Sequence, residues 1–220
     1  MGLDMYIFKR TSAEGHSVRQ VQKLSSSLEL VKNYEELSDL IANDGEKLNI
    51  DHFWTINMET PEEKRERLLR SIPEQLEREK EAYRAAKILL TPENIALAES
   101  YSEKEVAYWR KANQIHNWFV NNVQEGEDDC DYYNLTQDKI QELVDLCQNI
   151  LDIAEDESLE DYEKESRYEE LLPTQGGFFF GGTNYDEYYL SDIRSTIEQL
   201  KPLLEKELQP HERLLYHASW

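Results

Sequence analysis

The stretch YWRKANQIHNWF, Tyr108 to Phe119, places two tryptophans, an arginine, a lysine, two asparagines and a histidine in one short run. Arginine offers bidentate contacts to phosphate, lysine a point charge and tryptophan a flat stacking surface, so Arg110, Lys111 and Trp118 together suit an anionic, nucleotide-like ligand. Ser102 and Glu105 stand in capping-box spacing, and the run is read as a helix that they open. At about 100° per residue, Val106, Tyr108, Trp109, Ala112, Ile115, Phe119 and Val120 share one apolar half with Glu105, Asn113 and His116. Arg110, Lys111, Gln114, Asn117, Trp118 and Asn121 fall on the other half. A polar group buried without a partner costs about 1–3 kcal/mol. Asn113 and His116 therefore meet either an internal hydrogen-bond network or a ligand in a pocket walled by Trp109. On the polar half, Trp118 either packs under another segment while both cations pair with carboxylates, or it borders an anion site together with Arg110 and Asn117.

Catalytic arrangements are weaker. Asp128, Asp129, Cys130, Asp131 and His116 could offer metal ligands, but the regular spacing and glycine of an EF-hand loop are missing, and no metal site is expected. Cys130 with His116 is the one plausible nucleophilic dyad, and the surrounding carboxylates disfavour the thiolate that it needs. Asp186 or Glu187 beside His116 could do acid-base work, although no spacing rule supports it. No phosphate loop or dinucleotide fingerprint is present, so no cofactor is expected.

These residues need elements to hold them. GLDMYIFKR, Gly2 to Arg10, alternates Leu3, Met5 and Ile7 against Asp4, Tyr6 and Phe8 and predicts a strand. HFWTINM, His52 to Met58, and GGFFFGG, Gly176 to Gly182, are further strand candidates, so a small antiparallel sheet is expected. NYEELSDLIAND predicts a short helix that Asn43-Asp44-Gly45 stops. Pro61 and Pro73 mark two charged helices at about 61–70 and 73–90. TQDKIQELVDLCQNILDIAED carries Ile140, Leu143, Val144, Cys147, Ile150 and Leu151 on one stripe and predicts an amphipathic helix. LEDYEKESRYEELLPTQ predicts a short helix ended by Pro173, and YDEYYLSDIRSTIEQLKPLLEKEL a final long helix bent at Pro202. The expected fold is a predominantly helical α+β single domain over 1–220, with a charged helical insertion at about 60–100.

Four blocks, GLDMY, YWRKANQIHNWF, DDCDYY and LLPTQGGFFFGGTNYDEYY, resemble a family of small proteins of bacteria, phages and prophages. The matching blocks cover Gly2 to Phe8 and roughly Val106 to Leu200. The resemblance implies kinship and brings no activity with it. It does imply that Asp4, Tyr6, the tryptophan run, the DDC loop and the segment from Thr174 to Tyr188 converge on one site. Gln175, Gly176, Tyr185 and Asp186 then join Trp109, Arg110, Asn113, His116, Asn117 and Trp118 as candidate ligand-binding residues. The glycines would let backbone approach a ligand closely, or would simply turn the chain on either side of a short buried strand.

With 46 acidic and 24 basic residues in 220, the formal net charge is -22. Such a field repels nucleic acid, so direct DNA or RNA binding is not expected. Only two cysteines occur, and no apolar run approaches the ~20 residues of a membrane span. A cytoplasmic protein without membrane contact is expected. The functional expectation is a non-catalytic binding protein that holds a small anionic nucleotide-like ligand or a host protein, with a role in host defence or counter-defence. The alternatives are a hydrolase of a phosphorylated small molecule and an acidic decoy of a nucleic-acid-binding protein.

Overall fold

The computed structural model describes residues 2–42 and 59–220. In chain order the elements are β1 (Asp4–Thr11), α1 (Val18–Ala42), α2 (Pro61–Leu89), α3 (Pro92–Glu99), β2 (Ser102–Arg110), α4 (Asn113–Asn122), β3 (Tyr133–Leu135), α5 (Gln137–Glu155), α6 (Asp161–Leu171), α7 (Glu187–Leu200), a 3-10 turn at Lys201–Leu203 and β4 (Glu212–Ser219). The chain divides into two compact units, Met1–Val18 with Ser102–Trp220, and Arg19–Tyr101. It is an α+β protein, mostly helical, with one antiparallel sheet of strand order β2-β1-β4-β3.

The sheet lies in the first unit, with the N-terminal strand paired on both sides. Met5 stands opposite Trp109 of β2 and Ala218 of β4, and Ile7 opposite Tyr216. Side chains alternate across a pleated strand, so one face collects Leu3, Met5, Ile7, Ala107, Trp109, Leu214, Tyr216 and Ala218, all buried. Helices α4, α5 and α7 contribute to the same core through Ile115, Phe119, Leu143, Cys147, Ile150, Ile193 and Leu200. The Phe119 ring stacks on Tyr216 with centroids 3.9 Å apart. Burying each such large side chain stabilises by about 1.5–3 kcal/mol. The stripe on α5 is buried as its periodicity predicts, and burial pushes the Cys147 thiol up to about 12.

Several elements differ from the sequence expectation. Ser102–Arg110 is a strand and not the start of the tryptophan helix. Its aromatic and β-branched residues suit either state locally, and the antiparallel ladder with β1 decides. GGFFFGG is not a strand, because Phe178 to Phe180 form a turn in which the Phe180 amide donates to the Gly177 carbonyl at 3.2 Å. The place beside β1 belongs to β4, whose alternation in RLLYHAS lay beyond the expected final helix. The short strand β3 was not expected either. The expected strand at His52–Met58, and the helix stop at Asn43-Asp44-Gly45, lie outside the described residues.

The second unit holds most of α1, with α2 and α3. Pro73 does not open a new helix but sits inside α2, on its exposed side. A proline costs one intrahelical bond, and solvent can satisfy the carbonyl that loses its donor. Thr60 and Glu63 form the capping box that starts α2. Leu37 of α1 packs with Leu68 and Ile72 of α2, and Tyr34 stacks on Tyr83 with centroids 4.1 Å apart. This unit therefore takes in α1 as well as the charged stretch expected at 60–100. Among the described residues no helix is long and apolar enough to cross a membrane.

Candidate functional site

The chain passes from β2 into α4 within two residues, and Lys111 makes the turn in the left-handed region at φ 62°. A lysine there carries steric strain that local contacts must offset. Its amide donates to the Leu3 carbonyl at 2.8 Å, and its own carbonyl accepts from the Asn113 amide at 2.9 Å. Gly181, at φ +94°, lies against this turn. A Cβ there would stand 3.1 Å from Lys111 Cβ and 3.2 Å from the Lys111 carbonyl oxygen, so only glycine fits without displacement.

Asn113 ties that second segment down. Its Nδ2 donates to the carbonyls of Phe180 (3.1 Å) and Gly182 (2.7 Å), and its Oδ1 accepts from the Gln175 amide at 2.8 Å. Thr174 Oγ1 donates to the Thr183 carbonyl at 3.1 Å. One buried amide thus holds both limbs of the glycine-rich loop, which is why the loop is ordered without being a strand.

Between this loop, the Lys111 turn and the start of α7 lies a cavity of about 250 Å³. Its lining includes Arg110 and Lys111 together with Gln114, Asn184, Tyr188 and Asp192. Both cations are exposed, and among the described residues neither is in an ion pair. Tyr188 is 83% exposed and presents a free aromatic ring. Asp192 Oδ2 accepts from Gln114 Nε2 at 3.1 Å. Burial raises the Asp192 carboxyl above its usual range; the Gln114 bond opposes this, and the charge of Asp186 adds to it. Asp186 lines the cavity too, but its Oδ1 caps α7 by accepting from the amides of Tyr188 (2.9 Å) and Tyr189 (3.3 Å).

The remaining expected site residues lie elsewhere. Trp109 is in the core, with Nε1 donating to Thr196 Oγ1 at 2.9 Å. Trp118, expected on the polar half, is buried with its ring edge-on to Phe119 at 5.3 Å, whereas Tyr108, expected in the core, is 38% exposed. Tyr108 lies on β2, outside the helix, and Trp118 is buried because α4 is covered on nearly every side, with seven of its 10 residues buried. Asn117 is half-buried and donates to the Pro173 carbonyl at 3.4 Å. Tyr185 packs on Tyr189 with centroids 5.1 Å apart, and its hydroxyl accepts from the Thr174 amide at 3.4 Å. Gln175 enters the loop clamp through its backbone. Gly176 is exposed, with open space where a Cβ would be, so no close approach requires it. Gln114, Tyr188 and Asp192 were not singled out as site residues. A wheel drawn on α7 would have put Tyr188 and Asp192, four apart, on one side.

His116 is completely buried and satisfied internally. Its Nε2 lies 2.9 Å from Asp128 Oδ1 and its Nδ1 2.7 Å from the Tyr216 hydroxyl. A carboxylate only accepts, so Nε2–H donates to Asp128 and the Tyr216 hydroxyl donates to Nδ1, which fixes the neutral tautomer. Burial lowers the imidazole pKa, and the partly exposed Asp128 only partly offsets this. In the unfolded chain a histidine titrates near ~6.5. Below that value the unfolded state takes up a proton that folded His116 resists, so stability falls as pH falls, by at most about 1.4 kcal/mol per pH unit. Melting temperatures at pH 7.5 and 5.5 should therefore differ more in the wild type than in His116→Asn, and equal differences would contradict this account.

Among the described residues no group of three or more His, Cys, Asp or Glu side chains is placed to hold a metal ion. Fold and cavity together define an α+β protein with a small cavity beside the end of its sheet, whose lining includes two cations and two carboxylates. Comparison with known proteins returns no match: no family model, curated protein or solved structure aligns significantly with this chain.

Proposed function

We propose that this is a non-catalytic binding protein that captures a small anionic, nucleotide-like ligand in the cavity beside β2 and α7. The observation that carries the reading is the pair Arg110 and Lys111, in no ion pair among the described residues of a chain with 46 acidic side chains and lining a cavity. In so acidic a protein an exposed cation outside any ion pair is a natural place for an anion, even with Asp186 and Asp192 lining the same cavity. Strain at Lys111 points the same way, since backbone outliers concentrate where function over-determines geometry. Tyr188 supplies the stacking surface that the tryptophans, being buried, do not.

Size narrows the ligand. Pockets that enclose a drug-sized molecule run to roughly 300–1,000 Å³, and this one is smaller, at about 250 Å³. It suits one nucleoside monophosphate with an end in solvent better than a dinucleotide. The resemblance to phage and prophage proteins supports a host-directed use of such capture.

Asp192 favours a second reading, hydrolysis of a phosphorylated compound, because a carboxyl raised by burial inside a cavity is a candidate general acid. One experiment separates the two. The protein is incubated with a panel of mononucleotides and cyclic dinucleotides, and the small molecules are recovered and identified by mass spectrometry. Mononucleotide retained and returned intact is the expected result. Cleaved ligand would establish the hydrolase, and a panel in which nothing is either retained or cleaved would overturn both.

A further inference from the structure

Beyond the anion site, the part of the cavity formed by α4 and α7 has a chemistry of its own. Asp192 is half-buried, accepts one hydrogen bond on Oδ2 from Gln114 Nε2, and is in no ion pair among the described residues. Gln114 is 2% exposed, so its amide is held in place and cannot swing away to make room. A carboxylate accepts and never donates, and a partly desolvated one without a cation is stabilised by any N–H placed against it. Tyr188 lies four residues before Asp192, one turn earlier on the same side of α7, so a flat ring against the tyrosine would have an edge within reach of the carboxylate.

We propose that Asp192, positioned by Gln114, selects ligands whose ring carries an exocyclic amino group, so that the cavity prefers amino-bearing nucleotides over those with a carbonyl at the same position. This rests on the anion-capture reading, in which Arg110 and Lys111 hold the phosphate. A ring carbonyl facing Asp192 Oδ1 would put two acceptors against each other, and sites built around a hydrogen bond reject analogues that lack the donor.

Two matched pairs test this, because AMP and IMP, and CMP and UMP, differ in an exocyclic amino group replaced by a carbonyl, with the adjacent ring nitrogen gaining a hydrogen. Isothermal titration of the full-length protein should give AMP and CMP at least about tenfold tighter binding than IMP and UMP, roughly what one lost charge-assisted hydrogen bond is worth. Asp192→Asn can turn an amide donor to the carbonyl, and it should bring each pair to within about threefold while IMP and UMP still bind. Binding of all four nucleotides with equal affinity in the wild type would overturn the selection and leave anion capture standing. Binding of none would overturn both. A preference that survives Asp192→Asn undiminished would remove Asp192 from the role. Should that variant fail to fold, the AMP/IMP and CMP/UMP ratios in the wild-type protein still decide whether the selection exists.

Discussion

Replacing Asn113 by alanine should destabilise the first unit by about 3 kcal/mol or more, read as a lower midpoint in chemical denaturation. The side chain is 1% exposed and makes three hydrogen bonds, to the carbonyls of Phe180 and Gly182 and from the amide of Gln175. Alanine removes all three partners at once. Each buried group left unsatisfied costs about 1–3 kcal/mol, reduced wherever the loop relaxes and water reaches the freed groups. Asn113→Asp is the sharper control. A carboxylate can still accept from Gln175 but puts negative charge against two carbonyl oxygens, so it should be no better than alanine. A loss below about 0.5 kcal/mol in either variant would show that the loop is held by something else. Because Gly181 and Gly182 line the cavity, loosening the clamp should also weaken ligand binding in whatever protein remains folded.

Arg110→Ala should do the reverse, leaving the melting temperature unchanged and weakening binding of a nucleoside monophosphate by roughly 10- to 100-fold. The side chain is exposed and carries no ion pair among the described residues, so little native structure depends on it. A hydrogen bond to a charged group contributes about 1.5–3 kcal/mol, which sets that range. Lys111→Gly separates charge from backbone. Glycine adopts the left-handed turn without strain, so the variant should be at least as stable as the wild type while losing the second cation. Unchanged nucleotide affinity in both variants would exclude the pair as the anion site.

The two variants also mark how far the sequence could be read. Local periodicity was sufficient for β1, because strict alternation from Leu3 to Phe8 has one structural meaning, and for α5, whose stripe from Ile140 to Leu151 repeats over about three turns. It was not sufficient for Ser102 to Arg110. That segment pairs with β1 across about a hundred residues of chain, a contact no local pattern encodes, and a wheel drawn through it put Tyr108 in the core although it is an exposed strand residue. Gln114 and Trp118 lie within α4 itself, and both are buried because tertiary packing covers nearly all of that helix. His116 and Asn113 were narrowed to two readings, an internal network or a ligand. Each has internal partners, and only Asn113 also lines the cavity, because the Lys111 turn brings it against the glycine-rich loop.

By itself the sequence determined the acidic balance, the N-terminal strand, the amphipathic helix at α5 and the concentration of Arg110, Lys111 and Asn113 in one short run. These are properties of residue type and of spacing within a few turns. Tertiary structure alone decided that the last strand closes the sheet beside the first, and that Asp192 and Tyr188 meet Arg110 and Lys111 around one cavity. Those contacts join residues far apart in the chain, whose positions depend on the path of everything between them, so they are set by packing and long-range pairing and not by local pattern.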